Sequence, residues 1–249
     1  MRDLTEEGIE PNPGPRYISK NVNGMSGLAN AVKVFMTIVK SHQQKPITAI
    51  FIQEHNIKES GVAAMVAAAR DCELIIAIAP CPDGTPKGGT AIIIPRSAVE
   101  IAPRSNFSST LEKLESSVRT LPSGRAVTLR MSVEGTPTQL TSAYAPARSA
   151  SRPNFFSIAL RQFITKDTML GIDANCVPNE ALDLQRASTS PYDNAGSTEL
   201  ASLMAEAELV DVARECLGDE PFFTSHHNVH GNTTTQMRID QLYAPDRDG

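Results

Sequence analysis

The chain has 249 residues, of which 41% are hydrophobic, so it can bury the core of one large domain or two small ones, and we expect one. Its 23 Lys and Arg residues against 28 Asp and Glu residues give a net charge of −5, which excludes a globally basic nucleic-acid-binding surface. The widely spaced cysteines fit neither a disulfide-rich scaffold nor a zinc finger. No apolar run is long enough to span a membrane, so the sequence predicts a soluble intracellular protein with no membrane partner.

Helix and strand patterns alternate along the chain. Leu28 to His42 has apolar residues at helical spacing, and the β-branched run from Ile47 to Gln53 predicts a buried strand. Strands with helices on both sides predict an α/β layered sandwich. The further predicted elements are a helix over 60–71, strands over 74–79 and 89–95, an antiparallel pair over 124–133 and 138–146, a helix over 154–164, a strand over 168–173, a helix over 197–209 opened by a Ser or Thr cap, and a last strand over 237–245.

Polar side chains recur at the ends of these strands, where open α/β sheets place their sites. One spacer residue separates Asp173 from Asn175, and because a strand has a period of two, the pair is predicted to share a face. Any single polar residue at a strand end is more often a turn or cap residue than a catalytic group, but a whole ordered set favours a functional site. The other members of the set are Asn21, Asn23, Gln53, Glu54, Tyr144 and Asp240.

The order and spacing of the motifs resemble the exonuclease-endonuclease-phosphatase superfamily, and within it the apurinic-type endonuclease domain of non-LTR retrotransposons. The likeness runs from about Asn21 to Pro245 and implies a two-sheet α/β sandwich with helices on the outer faces. Each short motif is weak alone, whereas their order is specific. The motifs are NVNG (21–24), IQEH (52–55), GGTAIII (88–94), AYAP (143–146), GIDAN (171–175), LVDVAR (209–214), FFTSHHN (222–228) and RIDQLYAP (238–245).

The resemblance implies a divalent metal ion at one side of the site. Glu54 matches the acidic metal ligand, Asn23 lies at a second ligand position, and Asn21 would bind phosphate beside the metal. The implied cofactor is Mg²⁺, with Mn²⁺ as the alternative, because hard cations prefer oxygen ligands. A phosphodiester repels hydroxide, so a site that cleaves it needs a cation, neutral donors and one base.

The catalytic residues that the resemblance implies are Tyr144, Asp173, Asn175 and Asp240. Asp173 would orient or deprotonate the attacking water, Asn175 would hydrogen-bond a phosphate oxygen, and Tyr144 would contact the scissile phosphate. In the family, the carboxylate that Asp240 matches orients a histidine in a later Ser-Asp-His element. The sequence to Gly249 contains no such element, so we expect a domain that lacks its C-terminal strand.

Three histidines, His226, His227 and His230, precede the last predicted strand. We interpret them as exposed loop residues rather than as substitutes for the family's catalytic histidine. The alternative, a zinc site formed with Cys216, has no second cysteine pair to support it.

Three functions fit the resemblance. The first is a metal-dependent endonuclease that nicks one DNA strand, so that a reverse transcriptase encoded by the same retrotransposon can prime from the exposed 3′ hydroxyl. Its partners would be DNA, whose backbone Arg148 would contact, and that reverse transcriptase. The second function is a phosphatase or phosphodiesterase of small phosphoesters, and the third is an inactive truncated remnant. Nuclear action is implied by the resemblance only.

The N-terminus carries a separate signal. Residues 7–15, EGIEPNPGP, resemble the end of the ribosome-skipping peptides of the 2A type, which some retrotransposons carry ahead of their enzymatic region. The resemblance implies that the ribosome omits the peptide bond between Gly14 and Pro15. We therefore expect a disordered leader over 1–15 and an endonuclease/exonuclease/phosphatase domain over 16–249.

Overall fold

The computed structural model of the protein describes residues 14–25, 27–101, 106–186, 192–229 and 232–246. Its strands are β1 (Tyr17–Asn21), β2 (Ala49–Gln53), β3 (Leu74–Ala79), β4 (Thr90–Pro95), β5 (Arg119–Thr120), β6 (Ala126–Val133), β7 (Thr136–Tyr144), β8 (Thr168–Asp173), β9 (Leu184–Arg186), β10 (Leu209–Asp211), β11 (Ser225–Val229), β12 (Asn232–Met237) and β13 (Asp240–Pro245). Its α-helices are α1 (Leu28–Gln44), α2 (Glu59–Asp71), α3 (Phe107–Ser116), α4 (Arg152–Asn154), α5 (Glu180–Asp183), α6 (Ser197–Glu206) and α7 (Val212–Leu217).

Two large β-sheets form the centre of the fold. The first has the strand order β1-β2-β4-β3, with β1 parallel to β2 and the other pairs antiparallel. The second has the order β10-β13-β8-β7-β6-β5, in which β7 and β8 run parallel and the other pairs antiparallel. A small third sheet has the order β11-β12-β9. The predicted two-sheet α/β sandwich is confirmed.

The core lies in three apolar layers, which explains why the central strands read as continuous apolar runs. On β2, Phe51 packs between the two sheets, whereas its neighbours Ile50 and Ile52 belong to the layer under α1 and α2. Alternate side chains of one strand therefore enter different layers, and both sets are buried. The sheets approach so closely at Gly171 that an added Cβ would lie 2.4 Å from Phe51 Cβ, so only glycine fits there.

The predicted elements match the structure with small shifts of their ends, apart from three corrections. The predicted helix over 154–164 is α4 followed by a π-helix over Phe155–Leu160 and a 3₁₀ turn over Arg161–Phe163. The wider π turn lets the consecutive rings of Phe155 and Phe156 both be buried, in edge-to-face contact with centroids 5.4 Å apart.

The second correction concerns the start of α6. The predicted Ser or Thr cap is wrong, because the N-cap residue is Gly196, in the left-handed conformation with φ 96°. A tight turn takes the place of a side-chain cap there. Only glycine fits at this position, because a Cβ on Gly196 would lie 2.7 Å from Arg152 Cβ. The third correction concerns the histidine run: His226 and His227 lie on strand β11, paired with β12, rather than in a loop. Pairing with β12 overrides the polar, loop-like composition of the segment.

Some predictions fall outside the described residues. Most of the expected leader, residues 1–13, and also His230 belong to this group. Within the described ranges, no helix combines the length and the apolar character needed to cross a membrane.

Candidate functional site

Three strands of the second sheet bring a phenol and two carboxyl groups together at one rim. β8 lies between β7 and β13, and its last residue, Asp173, is paired in register with Tyr144 on β7 and with Asp240 on β13. Backbone hydrogen bonds extend this alignment past the strand ends, because Ala145 N donates to Asp173 O at 2.8 Å. The sheet topology therefore collects three of the predicted catalytic residues.

A fourth residue, Asn21, connects this rim to the first sheet. Asn21 ends β1, and its Nδ2 donates to Asp173 Oδ2 at 2.8 Å and to Glu54 Oε2 at 3.1 Å. Its Oδ1 accepts a hydrogen bond from the backbone N of Asn23 at 2.8 Å. Both amide hydrogens thus hold carboxylates, and the phosphate contact predicted for Asn21 stays a prediction. We call Asn21, Glu54, Tyr144, Asp173 and Asp240 together the rim site.

Glu54 is held in an unusual backbone conformation directly after β2. Its φ is 58°, a region that non-glycine residues rarely adopt, and its backbone N donates to Gly89 O at 2.9 Å. Gly89 is required beside it, because a Cβ there would lie 2.3 Å from Cε1 of His55. Such backbone strain persists only where the surroundings enforce it and is concentrated at functional sites.

His55 itself is a packing residue. Burial lowers the pKa of His55 to about 4, so the ring is neutral at physiological pH. Its Nδ1 accepts a hydrogen bond from Ile57 N at 2.9 Å, and Nε2 lies 3.2 Å from the carbonyl oxygen of Ala79. The IQEH motif therefore contributes Glu54 to the site and His55 to the core.

The electrostatics of the rim site favour a base at Asp173. Burial, followed by the charge of Asp240, raises the pKa of Asp173 to about 7, against the hydrogen bonds from Asn21 and Asn175. Burial likewise raises the pKa of Asp240. Its Oδ1 is buried and accepts no hydrogen bond from any residue in the described part of the chain. The rim therefore carries an acceptor that the described residues leave unused.

Glu54 differs from these two acids. Burial acts to raise the pKa of Glu54, but hydrogen bonds from Lys87 and Asn21 and the charge of Lys87 outweigh it, so the pKa is lower than usual. Lys87 Nζ lies 2.7 Å from Glu54 Oε1. Interaction with the Tyr144 hydroxyl also lowers the pKa of Glu54, and burial raises the pKa of this phenol, which stays protonated.

Asn175 reaches the rim by a different geometry from the one predicted. β8 ends at Asp173, and Asn175 has φ 50°, so the two do not share a strand face through the period of two. Instead the backbone N of Asn175 donates to Asp173 Oδ1 at 3.1 Å, a turn that the short side chain of an Asp stabilises. Asn175 Nδ2 donates one hydrogen to Ala145 O at 3.0 Å and keeps a second for another acceptor. Arg148 is exposed on the loop after β7.

Lys87 was not among the predicted site residues. It lies in the loop that joins β3 to β4, and it precedes the glycine pair Gly88 and Gly89, which both have positive φ. No pattern in this GTPKGGT segment predicts that its lysine contacts Glu54. The one local signal for this contact is a lysine beside two glycines, because glycines let a loop pass close to the backbone at the end of a strand.

A second group of charged side chains, also missed, surrounds Arg238, which lies two residues before Asp240 in the sequence. Arg238 is fully buried; its Nε donates to Asp183 Oδ1 at 2.7 Å and its Nη2 donates to Asp211 Oδ2 at 2.6 Å. Arg214 Nη2 donates to the same Asp183 oxygen at 3.0 Å. We call Asp183, Asp211, Arg214 and Arg238 the Arg238 cluster. Arg238 belongs to the RIDQLYAP motif (238–245), of which only Asp240 was a predicted site residue.

The oxygen donors at Glu54 and Asn23 fit a hard cation. Lys87 Nζ stands in for such a cation, 2.7 Å from Glu54 Oε1 and 3.0 Å from Asn23 Oδ1. Mg²⁺ often takes only one or two protein carboxylates and completes its shell with water and substrate phosphates, so two converging oxygens fit it. Within the described ranges, no group of three or more His, Cys, Asp or Glu side chains is arranged to hold a metal ion.

Comparison with solved structures establishes the fold. The chain matches the AP endonuclease LMAP from Leishmania major with a TM-score of 0.66 and 14% identity, covering 94% of this chain and 79% of that one. It matches an AP endonuclease from Archaeoglobus fulgidus with a TM-score of 0.63 and 12% identity, over 92% and 86% of the two chains. The protein has the fold of the AP endonucleases.

The same AP-endonuclease fold occurs in a retrotransposon protein. The endonuclease domain of TRAS1, a telomere-specific non-LTR retrotransposon, matches with a TM-score of 0.58 and 14% identity, over 93% of this chain and 85% of that one. No family model matches the sequence, and no curated protein matches it. At these identities the likeness establishes the fold, and the chemistry must be argued from the rim site.

Proposed function

We propose that this protein is a divalent-metal-dependent phosphodiester hydrolase that nicks DNA. The observation that carries the proposal is Asp173, a buried carboxylate with a pKa near neutrality, fixed at a rim where Tyr144 and Asp240 flank it. A base is most effective when its pKa lies near the working pH. The fold shared with AP endonucleases supports a phosphodiester as the substrate.

In this proposal Asp173 accepts a proton from the attacking water. Asn21 Nδ2 and the backbone N of Asn175 each bind one Asp173 oxygen, so the carboxylate cannot rotate and its remaining lone pairs point in fixed directions. The water oxygen forms a bond to phosphorus, the bond from phosphorus to the 3′ oxygen breaks, and that oxygen takes a proton from solvent. The products are a 3′ hydroxyl and a 5′ phosphate.

Neutral donors face the phosphate from the same rim. In the proposal, the Tyr144 hydroxyl and the second amide hydrogen of Asn175 bind the phosphate oxygens as negative charge grows on them; both groups lie at the rim, and the phenol is protonated. A divalent ion held by Glu54 and Asn23 would supply the neutralising charge that this transfer needs. Asp240 Oδ1, buried and without a partner among the described residues, would orient a further donor, the role that its motif suggests.

The finer part of the proposal concerns the substrate. We infer that it is DNA at the target site of a non-LTR retrotransposon, and that the 3′ hydroxyl primes a reverse transcriptase encoded by the same element. The ordered motifs and the fold shared with the TRAS1 endonuclease domain support this inference.

The test is nicking of supercoiled plasmid by the full chain in Mg²⁺, with Asp173→Asn and excess EDTA in parallel. Asp167→Asn is the matched control, because Asp167 is an exposed acid at the opposite end of β8. We expect nicking by the wild type and by Asp167→Asn, and none by Asp173→Asn or in EDTA. Folded protein that leaves the plasmid intact contradicts the proposal; if it hydrolyses p-nitrophenyl phosphate instead, the substrate is a small phosphoester.

A further inference from the structure

Lys87 occupies the position at which the proposed metal ion would be bound. Its Nζ lies 2.7 Å from Glu54 Oε1 and donates to Asn23 Oδ1 at 3.0 Å. These are the two oxygens that the proposed function assigns to the divalent ion. The side chain of Lys87 is 58% exposed whereas that of Glu54 is 6% exposed, so the ammonium group covers the carboxylate from the solvent side.

The ammonium group and a divalent ion cannot use these oxygens together. Mg²⁺ binds oxygen at about 2.0–2.1 Å, so at Glu54 Oε1 and Asn23 Oδ1 it would need the space that the Lys87 ammonium group now fills. Two cations on one carboxylate oxygen would also repel each other strongly at such short range. Binding of the metal ion therefore requires the ammonium group to leave.

The loop that carries Lys87 is fixed on both sides of this residue. The ammonium group can therefore leave Glu54 by rotation of the Lys87 side chain alone. On the C-terminal side, Asn56 N donates to Gly88 O and Gly88 N donates to Asn56 Oδ1, both at 2.8 Å. On the N-terminal side, Lys58 Nζ donates to Pro82 O at 2.7 Å and to Thr85 O at 2.6 Å. The flexible lysine side chain thus keeps the ammonium group close to Glu54 even when it rotates away.

We propose that Lys87 is a tethered counter-cation that competes with the divalent ion for Glu54 and Asn23, and that a nucleic-acid phosphate relieves this competition by drawing the ammonium group away. The proposal rests on the proposed function, which supplies the metal ion and the polyanionic substrate. A phosphodiester backbone offers Lys87 new oxygen partners at the mouth of the site. Metal ion and DNA would then each strengthen the binding of the other.

The first test measures Mn²⁺ binding without DNA, through the electron paramagnetic resonance signal of free Mn²⁺. Lys87→Met removes the competitor, and we expect it to bind Mn²⁺ about twofold to fivefold more tightly than the wild type, the range for an exposed ion pair. Glu54→Gln should bind Mn²⁺ more weakly. Lys45→Met is the matched control: Lys45 is exposed before the start of β2, whereas Glu54 follows its end, and the same loss of charge there should leave Mn²⁺ affinity unchanged.

Three results would overturn the proposal. Equal or weaker Mn²⁺ binding by Lys87→Met would show that Lys87 does not compete. An equal gain in Lys45→Met would show that only net charge matters. Absence of saturable Mn²⁺ binding in both the wild type and Lys87→Met would show that Lys87 masks no metal site.

The second test adds a DNA duplex to a pair of proteins that the proposed mechanism leaves unable to cut it, Asp173→Asn and Asp173→Asn with Lys87→Met. Mn²⁺ bound by the duplex alone is subtracted. We expect the duplex to increase Mn²⁺ affinity more in the protein that keeps Lys87, and an equal increase in both contradicts the coupling. Plasmid nicking separates the two proposals. If the wild type nicks plasmid but Lys87→Met binds Mn²⁺ no more tightly, the competition proposal alone is wrong. If Lys87→Met binds Mn²⁺ more tightly but the wild type does not nick plasmid, the endonuclease proposal alone is wrong.

Discussion

The rim site and the Arg238 cluster are both groups of charged side chains with members on the second sheet, but they differ in how their charge is compensated. In the Arg238 cluster, the carboxylates of Asp183 and Asp211 face the guanidinium groups of Arg238 and Arg214 at 2.6 to 3.0 Å. The rim site holds Glu54, Asp173 and Asp240 against Lys87, whose side chain is 58% exposed.

We interpret this difference as one between a structural role for the Arg238 cluster and the functional role proposed for the rim site. Paired buried ions are neutral as a group, and through Arg238 they hold α5 and β10 to the segment just before β13. The rim site instead raises the pKa of Asp173 and leaves Asp240 Oδ1 without a partner among the described residues, a state that costs stability. Buried acids without a compensating positive charge are typical of a site that binds a substrate and a cation.

The largest effect is expected for Asp173→Asn, which tests the functional role proposed for the rim site. We expect a loss of phosphodiester hydrolysis of about 10²- to 10⁴-fold, the contribution of a general base. Because an amide needs no charge compensation, the free energy of unfolding should be unchanged or higher. Plasmid nicking and urea unfolding measure the two effects. Retained nicking together with a large loss of stability would show that Asp173 is a structural residue.

The next largest effect is expected for Arg238→Met. It leaves two buried carboxylates without their common partner, and we expect the free energy of unfolding to fall by about 3–5 kcal/mol. Arg214→Met is the matched variant: Arg214 is partly exposed and donates to Asp183 alone among the cluster acids, so a smaller loss is expected. Urea unfolding of the three proteins gives the ranking. An Arg238→Met protein as stable as the wild type would contradict the structural role of the cluster.

The pH dependence of stability is the third distinction. The pKa of Asp173 is about 7 in the folded protein, above its ordinary 3.8, so between these values the folded state binds more protons than the unfolded state. The free energy of unfolding should therefore fall as pH rises from about 4 to 7, by roughly 3 kcal/mol. Urea unfolding at pH 5 and pH 8 measures it. Asp173→Asn should reduce the fall, and Asp167→Asn should retain it; identical profiles for all three would contradict the raised pKa.

The smallest effect is expected for Arg148→Ala, which tests how far the functional region extends beyond the rim site. If the exposed Arg148 meets one DNA phosphate, its removal should lower the salt dependence of DNA binding by about one unit of slope. Fluorescence anisotropy of a labelled duplex over a salt series gives this slope. Mg²⁺ affinity and folding should not change, and an unaltered slope would place Arg148 outside the DNA path.

The rim site illustrates what could be predicted before the fold was known. Asp173 and Tyr144 are predicted as polar residues at the ends of apolar strands and Asp240 as one inside the last strand, and these patterns are local. Asp173 and Asn175 lie close together, but the shared strand face predicted for them is wrong. A turn with φ 50° at Asn175 joins them instead. Turn geometry of this kind depends on where a strand stops, and strand ends are the least certain part of a sequence-based prediction.

By itself the sequence determined the chemistry of each segment, because apolar runs, their periods and the polar residues that end them depend on near neighbours along the chain. Which charges meet was decided only by the tertiary structure. Asn21 and Asp173 are 152 positions apart, and Arg238 and Asp183 are 55 apart. Such partners are chosen by strand order and by the packing of the two sheets. A lysine or an arginine therefore reveals its role, as a competitor at the rim or as a counter-ion in the core, only once the fold has placed its partners.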